Sequence, residues 1–86
     1  MKAVKTRDRS EGVTLYVVPG CPLCARARAW LARHGVPVVE RDVAGDYGAL
    51  RAMYRKTRQG LVPVVEHEGR ALVRPSDEEL RALLLL

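Results

Sequence analysis

The two cysteines of the chain stand three residues apart, and this pair constrains the fold and the chemistry more than any other feature. Cys21 and Cys24 are the only cysteines among 86 residues. They follow the apolar run 13–18 and precede a stretch with the periodicity of a helix. The pair is therefore a redox centre, half of a metal site, or two small buried side chains.

Composition and charge limit the cellular compartments and the classes of partner that we expect for this protein. No apolar stretch approaches the roughly 18 residues that a membrane-spanning helix needs, and the charged opening of the chain lacks the apolar centre of a signal peptide. We therefore expect no membrane partner and a cytoplasmic protein, in which thiols stay reduced. The net charge of +5 comes mostly from arginines scattered along the chain, with few aromatic residues, so we predict no nucleic-acid partner.

The order of apolar patterns predicts one α/β domain. Residues 1–11 are expected to form a flexible N-terminal segment, and residues 12–86 the domain. Strands are predicted at 13–18, 36–42, 61–66 and 71–73, and helices at 22–34, 46–57 and 77–84. The second helix is expected to carry Leu50, Met53 and Tyr54 as its apolar stripe. The order β-α-β-α-β-β-α implies a mixed four-stranded sheet covered by helices.

The position of the cysteine pair suits thiol–disulfide exchange. Pro22 fits the first position of a helix, which places Cys21 at the helix N-cap. Free backbone N–H groups and the helix dipole stabilise a thiolate there, so Cys21 is expected to be the nucleophile. Cys24, one turn on, is expected to resolve the mixed disulfide.

A zinc site is the competing interpretation of the same pair. Such a site needs two further ligands, and the only histidines, His34 and His67, are not at a ligand spacing. We therefore predict no metal site.

At this point the chain resembles the glutaredoxin branch of the thioredoxin superfamily. Cys21-Pro22-Leu23-Cys24 stands where that family has C-P-Y-C, and Val62-Pro63 stands where it has T-V-P before a strand. Gly69 and Ser76-Asp77 correspond to the last hairpin and the capped terminal helix. The resemblance covers about residues 12–86 and implies a thioredoxin-like fold.

The resemblance also implies roles for residues outside the cysteine pair. Pro63 is expected to follow a cis peptide bond and to face the sulfurs, with the Val62 backbone pairing with a bound peptide or glutathione in strand fashion. The substrate-binding set implied in this way is Pro22, Leu23, Arg58, Val62, Pro63, Ser76 and Asp77.

Four departures from the family pattern predict weak glutathione binding. Where glutaredoxins usually carry Lys, Tyr, Thr and Gly-Gly, this chain has Val18, Leu23, Leu61 and Arg74-Pro75. Arg74 could still compensate by pairing with a glutathione carboxylate, and Arg58 could pair with another.

The sequence thus predicts a monomeric dithiol–disulfide oxidoreductase with no tightly bound cofactor, acting on disulfide-containing proteins in electron transport. Its reductant is either glutathione as co-substrate or a flavoprotein disulfide reductase. Three alternatives stay open: a glutathione-dependent glutaredoxin proper, a glutaredoxin-like protein that shares an iron–sulfur cluster through Cys21, and an interaction module with the same fold but no turnover.

Overall fold

The structure, a computed structural model, describes residues 12–86, so the predicted flexible segment 1–11 lies outside the described residues. The strands are β1 (Val13–Val17), β2 (Val39–Asp42), β3 (Val64–His67) and β4 (Arg70–Val73), and the helices are α1 (Pro22–Arg33), α2 (Tyr47–Thr57) and α3 (Asp77–Leu84). The sheet has the order β2-β1-β3-β4. β1 runs parallel to β2 and antiparallel to β3, and β3 pairs with β4 antiparallel. The predicted order of elements and the mixed four-stranded sheet are confirmed.

Side chains that bridge sheet and helices show which helix covers which face. Glu40 of β2 is paired with Leu15 of β1 and accepts hydrogen bonds from Arg28 of α1 at 2.6 and 3.1 Å. Glu66 of β3 points to the other face and forms an ion pair with Lys56 of α2 at 3.3 Å. Because neighbouring positions of a strand face opposite sides, α1 and α2 cover opposite faces of the sheet.

The third helix lies beside α1. The Arg81 guanidinium of α3 lies 5.9 Å from the centre of the Trp30 ring of α1, and both Trp30 and Leu80 are buried in the same core. The capping box predicted for α3 is confirmed: the Ser76 hydroxyl accepts from the Glu79 backbone N–H, and the Glu79 carboxylate accepts from the Ser76 N–H.

The apolar stripe of α2 differs from the predicted one. Ala49 and Met53 are fully buried and Leu50 is half-buried, but Tyr54 is 53% exposed. The prediction for Tyr54 is wrong because Ala49 and Met53, four residues apart, centre the buried stripe, and Tyr54 is turned about 100° away from Met53.

Two strands begin later than the sequence predicts. β2 begins at Val39 rather than at residue 36, and β3 begins at Val64 rather than at residue 61. In both places a proline, Pro37 or Pro63, precedes the strand. Proline has no backbone N–H to donate to a sheet ladder, so pairing starts only after it.

No helix among residues 12–86 is long and apolar enough to cross a membrane.

The corrected α2 stripe yields a stability prediction. Met53→Ala leaves a cavity in the core and should lower the free energy of unfolding by about 2–5 kcal/mol. Tyr54→Ala on the same helix should change it by about 0.5 kcal/mol or less, because the side chain is mostly exposed. Urea unfolding followed by circular dichroism measures both values. Equal losses for the two variants would show that Tyr54 packs as part of the core.

Candidate active site

The turn between β1 and α1 brings the two cysteines to the start of a helix. β1 ends at Val17, and Gly20 adopts a positive φ of 74°, a conformation that glycine reaches without a steric penalty. Cys21 then has extended backbone angles and is the N-cap of α1, with Pro22 as first helical residue. The predicted N-cap position of Cys21 is confirmed.

The sulfur of Cys21 takes the place of the usual capping oxygen. Cys21 Sγ accepts a hydrogen bond from the backbone N–H of Cys24 at 3.1 Å, one of the N–H groups that a helix start leaves without a helical partner. Both cysteines are free thiols. Cys21 is partly exposed, whereas Cys24 is 1% exposed. An incoming disulfide can therefore reach Cys21 and not Cys24.

The surroundings of Cys21 favour its thiolate. A hydrogen bond from the Cys24 side chain is the largest cause of a lowered pKa of Cys21. Backbone N–H groups of Cys24 and Leu23 and the positive charge of Arg74 lower this pKa further. All of these groups place positive charge or hydrogen-bond donors at the sulfur, which stabilises the charged form.

The surroundings of Cys24 have the opposite effect. Burial is the largest cause of a raised pKa of Cys24, because removal from water disfavours the thiolate. The hydrogen bond to Cys21 and the negative charge of the Cys21 thiolate raise this pKa further. The surroundings thus favour the thiolate at Cys21 and the protonated thiol at Cys24.

The loop before β3 contains the cis peptide bond. The Val62–Pro63 bond is cis, and Val62 and Pro63 are both buried. Arg74 forms two hydrogen bonds with this loop. Its backbone N–H donates to the Pro63 carbonyl at 2.8 Å, and its Nε donates to the Val62 carbonyl at 2.7 Å. The guanidinium is therefore already one hydrogen-bond partner of the Val62 backbone, which the resemblance assigns to strand-like pairing with a ligand.

A groove of about 560 Å³ opens between α1 and α3 beside this loop, and we call it the α1–α3 groove. It brings together four residues of the predicted substrate-binding set: Leu23, Pro63, Ser76 and Asp77. The floor also contains Trp30 and Leu80, while Arg26, Arg33 and Arg74 supply positive charge. The lining of the groove thus combines apolar side chains with positive charge.

The other predicted residues lie elsewhere. Pro22 lines a second hollow of about 560 Å³ together with Cys21, on the side where Arg28 pairs with Glu40. Arg58 lines a groove on α2 and not the α1–α3 groove.

Sequence reasoning did not find the contact of Arg74 with Val62, since it considered Arg74 only as a residue that could compensate for lost contacts by pairing with a glutathione carboxylate. The contact depends on a left-handed φ of 48° at Arg74, and the residue types do not indicate this backbone angle.

The two histidines have structural contacts instead of a shared site. His34 stacks on Trp30 with ring centres 3.8 Å apart, and its Nδ1 lies 2.9 Å from the Trp30 carbonyl oxygen. His67 Nδ1 lies 3.3 Å from the Gly12 carbonyl oxygen. Among residues 12–86, no group of three or more His, Cys, Asp or Glu side chains is arranged to hold a metal ion.

Comparison with known proteins agrees with this geometry. A family model described as Glutaredoxin matches residues 13–72. The global transcriptional regulator Spx of Bacillus subtilis is 36% identical over 56 residues, which are 62% of this chain and 43% of that protein. The chain thus spans less than half the length of the curated relatives that it matches.

Two solved structures share the fold over most of the chain. A mutant of the thioredoxin-like protein BC3987 has a TM-score of 0.80 at 26% identity, over 86% of this chain and 95% of that one. The glutaredoxin of Archaeoglobus fulgidus has a TM-score of 0.79 at 22% identity, over 86% of both chains. The predicted thioredoxin-like fold is confirmed.

The unequal thiols predict an order of chemical modification. Limiting iodoacetamide at mildly acidic pH should label Cys21 well before Cys24, because Cys21 has the lowered pKa and the exposed sulfur. Peptide mapping measures the two yields. In guanidinium chloride, where the helix start is lost, the preference should disappear. Faster labelling of Cys24 in the folded protein would contradict the assignment of Cys21 as the more reactive thiol.

Proposed function

The chain belongs to the glutaredoxin family, and from this premise we propose that it is a small dithiol–disulfide oxidoreductase acting on protein disulfides or mixed disulfides. The observation that carries the proposal is the contrast between the two thiols. Cys21 is partly exposed with a lowered pKa, and Cys24 is buried with a raised pKa. This contrast matches what an ordered two-step exchange needs.

In the first step the Cys21 thiolate attacks one sulfur of the substrate disulfide. The substrate S–S bond breaks, a new bond joins Cys21 to one substrate sulfur, and the other substrate sulfur leaves as a thiolate that takes up a proton. The N–H groups at the start of α1 favour the attacking thiolate before reaction. The partial exposure of Cys21 gives the substrate access.

In the second step Cys24 resolves the mixed disulfide. Once Cys21 is bonded to substrate it no longer carries a negative charge, so one cause of the raised pKa of Cys24 is removed. Cys24 loses its proton and attacks Cys21 Sγ. The second substrate thiol is released and the Cys21–Cys24 disulfide forms, so two electrons have passed to the substrate. An external reductant must then supply two electrons to reduce the Cys21–Cys24 disulfide. A centre that works in the reduced state suits a reducing compartment such as the cytoplasm.

The substrate polypeptide is proposed to lie in the α1–α3 groove. Leu23 stands between the two cysteines in the chain, and it borders the groove together with Pro63. Through their positive charge, Arg26 in the first turns of α1 would favour acidic side chains near the disulfide, and Arg33 at the other end of α1 would favour them farther along the groove.

The contacts of Arg74 favour a reductant other than glutathione. Arg74 Nε already donates to the Val62 carbonyl at 2.7 Å, so a glutathione backbone would compete with a charge-assisted hydrogen bond. Such bonds contribute about 1.5–3 kcal/mol each. We therefore propose a flavoprotein disulfide reductase as the electron donor.

The similarity to the Spx regulator favours a second candidate function. That relative is named a global transcriptional regulator, so a sequence similar to this one also occurs in a protein whose name describes no turnover. With that function the chain would keep both thiols but would not turn over as a catalyst in the reduction of a model disulfide. Catalytic amounts of protein in an insulin reduction assay separate the two functions.

The ordered mechanism predicts different outcomes for the two serine variants. Cys24→Ser should accumulate a mixed disulfide with a substrate protein, because the resolving attack is removed. Cys21→Ser, the matched control, should accumulate none. Non-reducing gel electrophoresis and mass spectrometry measure the adducts. Equal trapping by both variants would contradict the assignment of Cys21 as nucleophile.

The contact between Arg74 and Val62 predicts a gain of glutathione use. Arg74→Gly frees the Val62 carbonyl, and glycine adopts the positive φ of this position without strain. The ratio of glutathione-dependent to thioredoxin-reductase-dependent turnover should rise by about tenfold or more, as expected for the removal of one competing contact of about 1.5–3 kcal/mol. The ratio is used because Arg74 also lowers the pKa of Cys21, which affects turnover with both reductants. The wild-type protein should be slow with glutathione and faster with a thioredoxin reductase system. Glutaredoxin-like rates of the wild type with glutathione would contradict the proposed reductant.

A further inference from the structure

The outward side of α2 forms a groove of about 540 Å³ that has no part in the thiol chemistry. It is lined by Tyr47, Leu50, Arg51, Tyr54, Arg55 and Arg58, and we call these six residues the α2 face. Ala49 and Met53 of the same helix are fully buried, so the α2 face points away from the sheet. α1, with the reactive cysteines at its start, covers the opposite side of that sheet.

Two tyrosines of the α2 face lie largely in water. Tyr47 is 73% exposed and Tyr54 is 53% exposed, whereas the remaining tyrosine, Tyr16, is 2% exposed. Tyr47 and Tyr54 are seven residues apart, which is about two helical turns, so they lie along one stripe. Exposed aromatic rings on one stripe offer apolar contact area, and Tyr and Arg are enriched at the centres of protein interfaces.

The charge of the α2 face has one sign. Arg51, Arg55 and Arg58 are spaced four and three residues apart, and within residues 12–86 none of them forms an ion pair. α2 itself has no acidic residue between Tyr47 and Thr57. Positive charges at these spacings repel one another on a helix surface. A ligand with several negative charges would remove this repulsion.

We propose that the α2 face is a docking surface for an acidic segment of a partner protein. The planar guanidinium groups of Arg51, Arg55 and Arg58 suit carboxylates, which they can bind through two parallel hydrogen bonds. The rings of Tyr47 and Tyr54, with Leu50 between them, would pack against an apolar side chain of the segment. The inference does not depend on whether the thiols turn over.

The charge and the aromatic geometry favour this occupant over two others. A second copy of the chain, placed face to face, would bring like charges together across the symmetry axis. A single-stranded nucleic acid would need bare ring faces for base stacking, but the Arg51 guanidinium lies 5.8 Å from the centre of the Tyr47 ring. Carboxylates spaced along a peptide match the three arginines.

The experiment uses the full chain and a fluorescein-labelled helical peptide with glutamates along one face beside leucines. Fluorescence anisotropy at an ionic strength of about 0.15 M should show saturable binding, and the same peptide with glutamine in place of glutamate should bind at least about tenfold more weakly. Amide chemical shifts of the wild-type protein should change at residues 47–58. These two measurements need no variant.

Charge-reversed variants locate the site. The double variant Arg51→Glu/Arg55→Glu should raise the dissociation constant about tenfold or more. The control Arg70→Glu/Arg81→Glu, with the same change in net charge at exposed positions outside both the α2 face and the α1–α3 groove, should change it by about threefold or less. The proposal is overturned by the absence of saturable binding, by equal binding of the glutamine peptide, by a larger loss in the control, or by shifts confined to the α1–α3 groove. The proposal is also overturned if oligo-dT, a single-stranded nucleic acid, displaces the peptide at an equal or lower concentration. It is likewise overturned if sedimentation equilibrium shows dimers that bury the α2 face.

Discussion

The hydrogen bond from the Cys24 backbone N–H to Cys21 Sγ, at 3.1 Å, is the contact on which both the local fold and the reactivity depend. At the other two helices a side-chain oxygen caps the first turn: that of Asp46 for α2 and that of Ser76 for α3. At α1 a sulfur does so. A capping sulfur gains most from the N–H groups when it is ionised. The geometry that begins the helix therefore adds to the lowering of the Cys21 pKa, of which the hydrogen bond from the Cys24 side chain is the largest cause.

The sheet brings the second part of the site to this helix start. β1 is a central strand, paired in parallel with β2 and in antiparallel with β3. Tyr16 near the end of β1 pairs with Val64 at the start of β3, so the cis Pro63 that precedes β3 reaches the same edge of the sheet as the turn that follows β1. Residues about 40 positions apart in the chain therefore meet because antiparallel pairing places the end of one strand beside the start of the next.

Much of this arrangement follows from local sequence signals, but not all of it. Pro22 after Cys21 and Ser76 three residues before Glu79 are helix-start signals that depend only on nearby residues, and both predictions are confirmed. The exposure of Tyr54 depends on which side of α2 packs against the sheet, and the bond from Arg74 to Val62 depends on a left-handed backbone angle and on packing across 12 residues. Residue types do not encode these tertiary properties locally. The late starts of β2 and β3, in contrast, could have been predicted from Pro37 and Pro63.

A single-turnover experiment tests most directly whether Cys21 and Cys24 together deliver two electrons to a disulfide. Fully reduced protein is mixed anaerobically with an excess of insulin, quenched with acid and analysed by mass spectrometry after alkylation of all free thiols. We expect each chain to lose both alkylation sites through an internal Cys21–Cys24 disulfide, while one insulin disulfide opens for each chain oxidised. Chains that keep two alkylatable thiols while insulin stays intact would contradict the proposed chemistry.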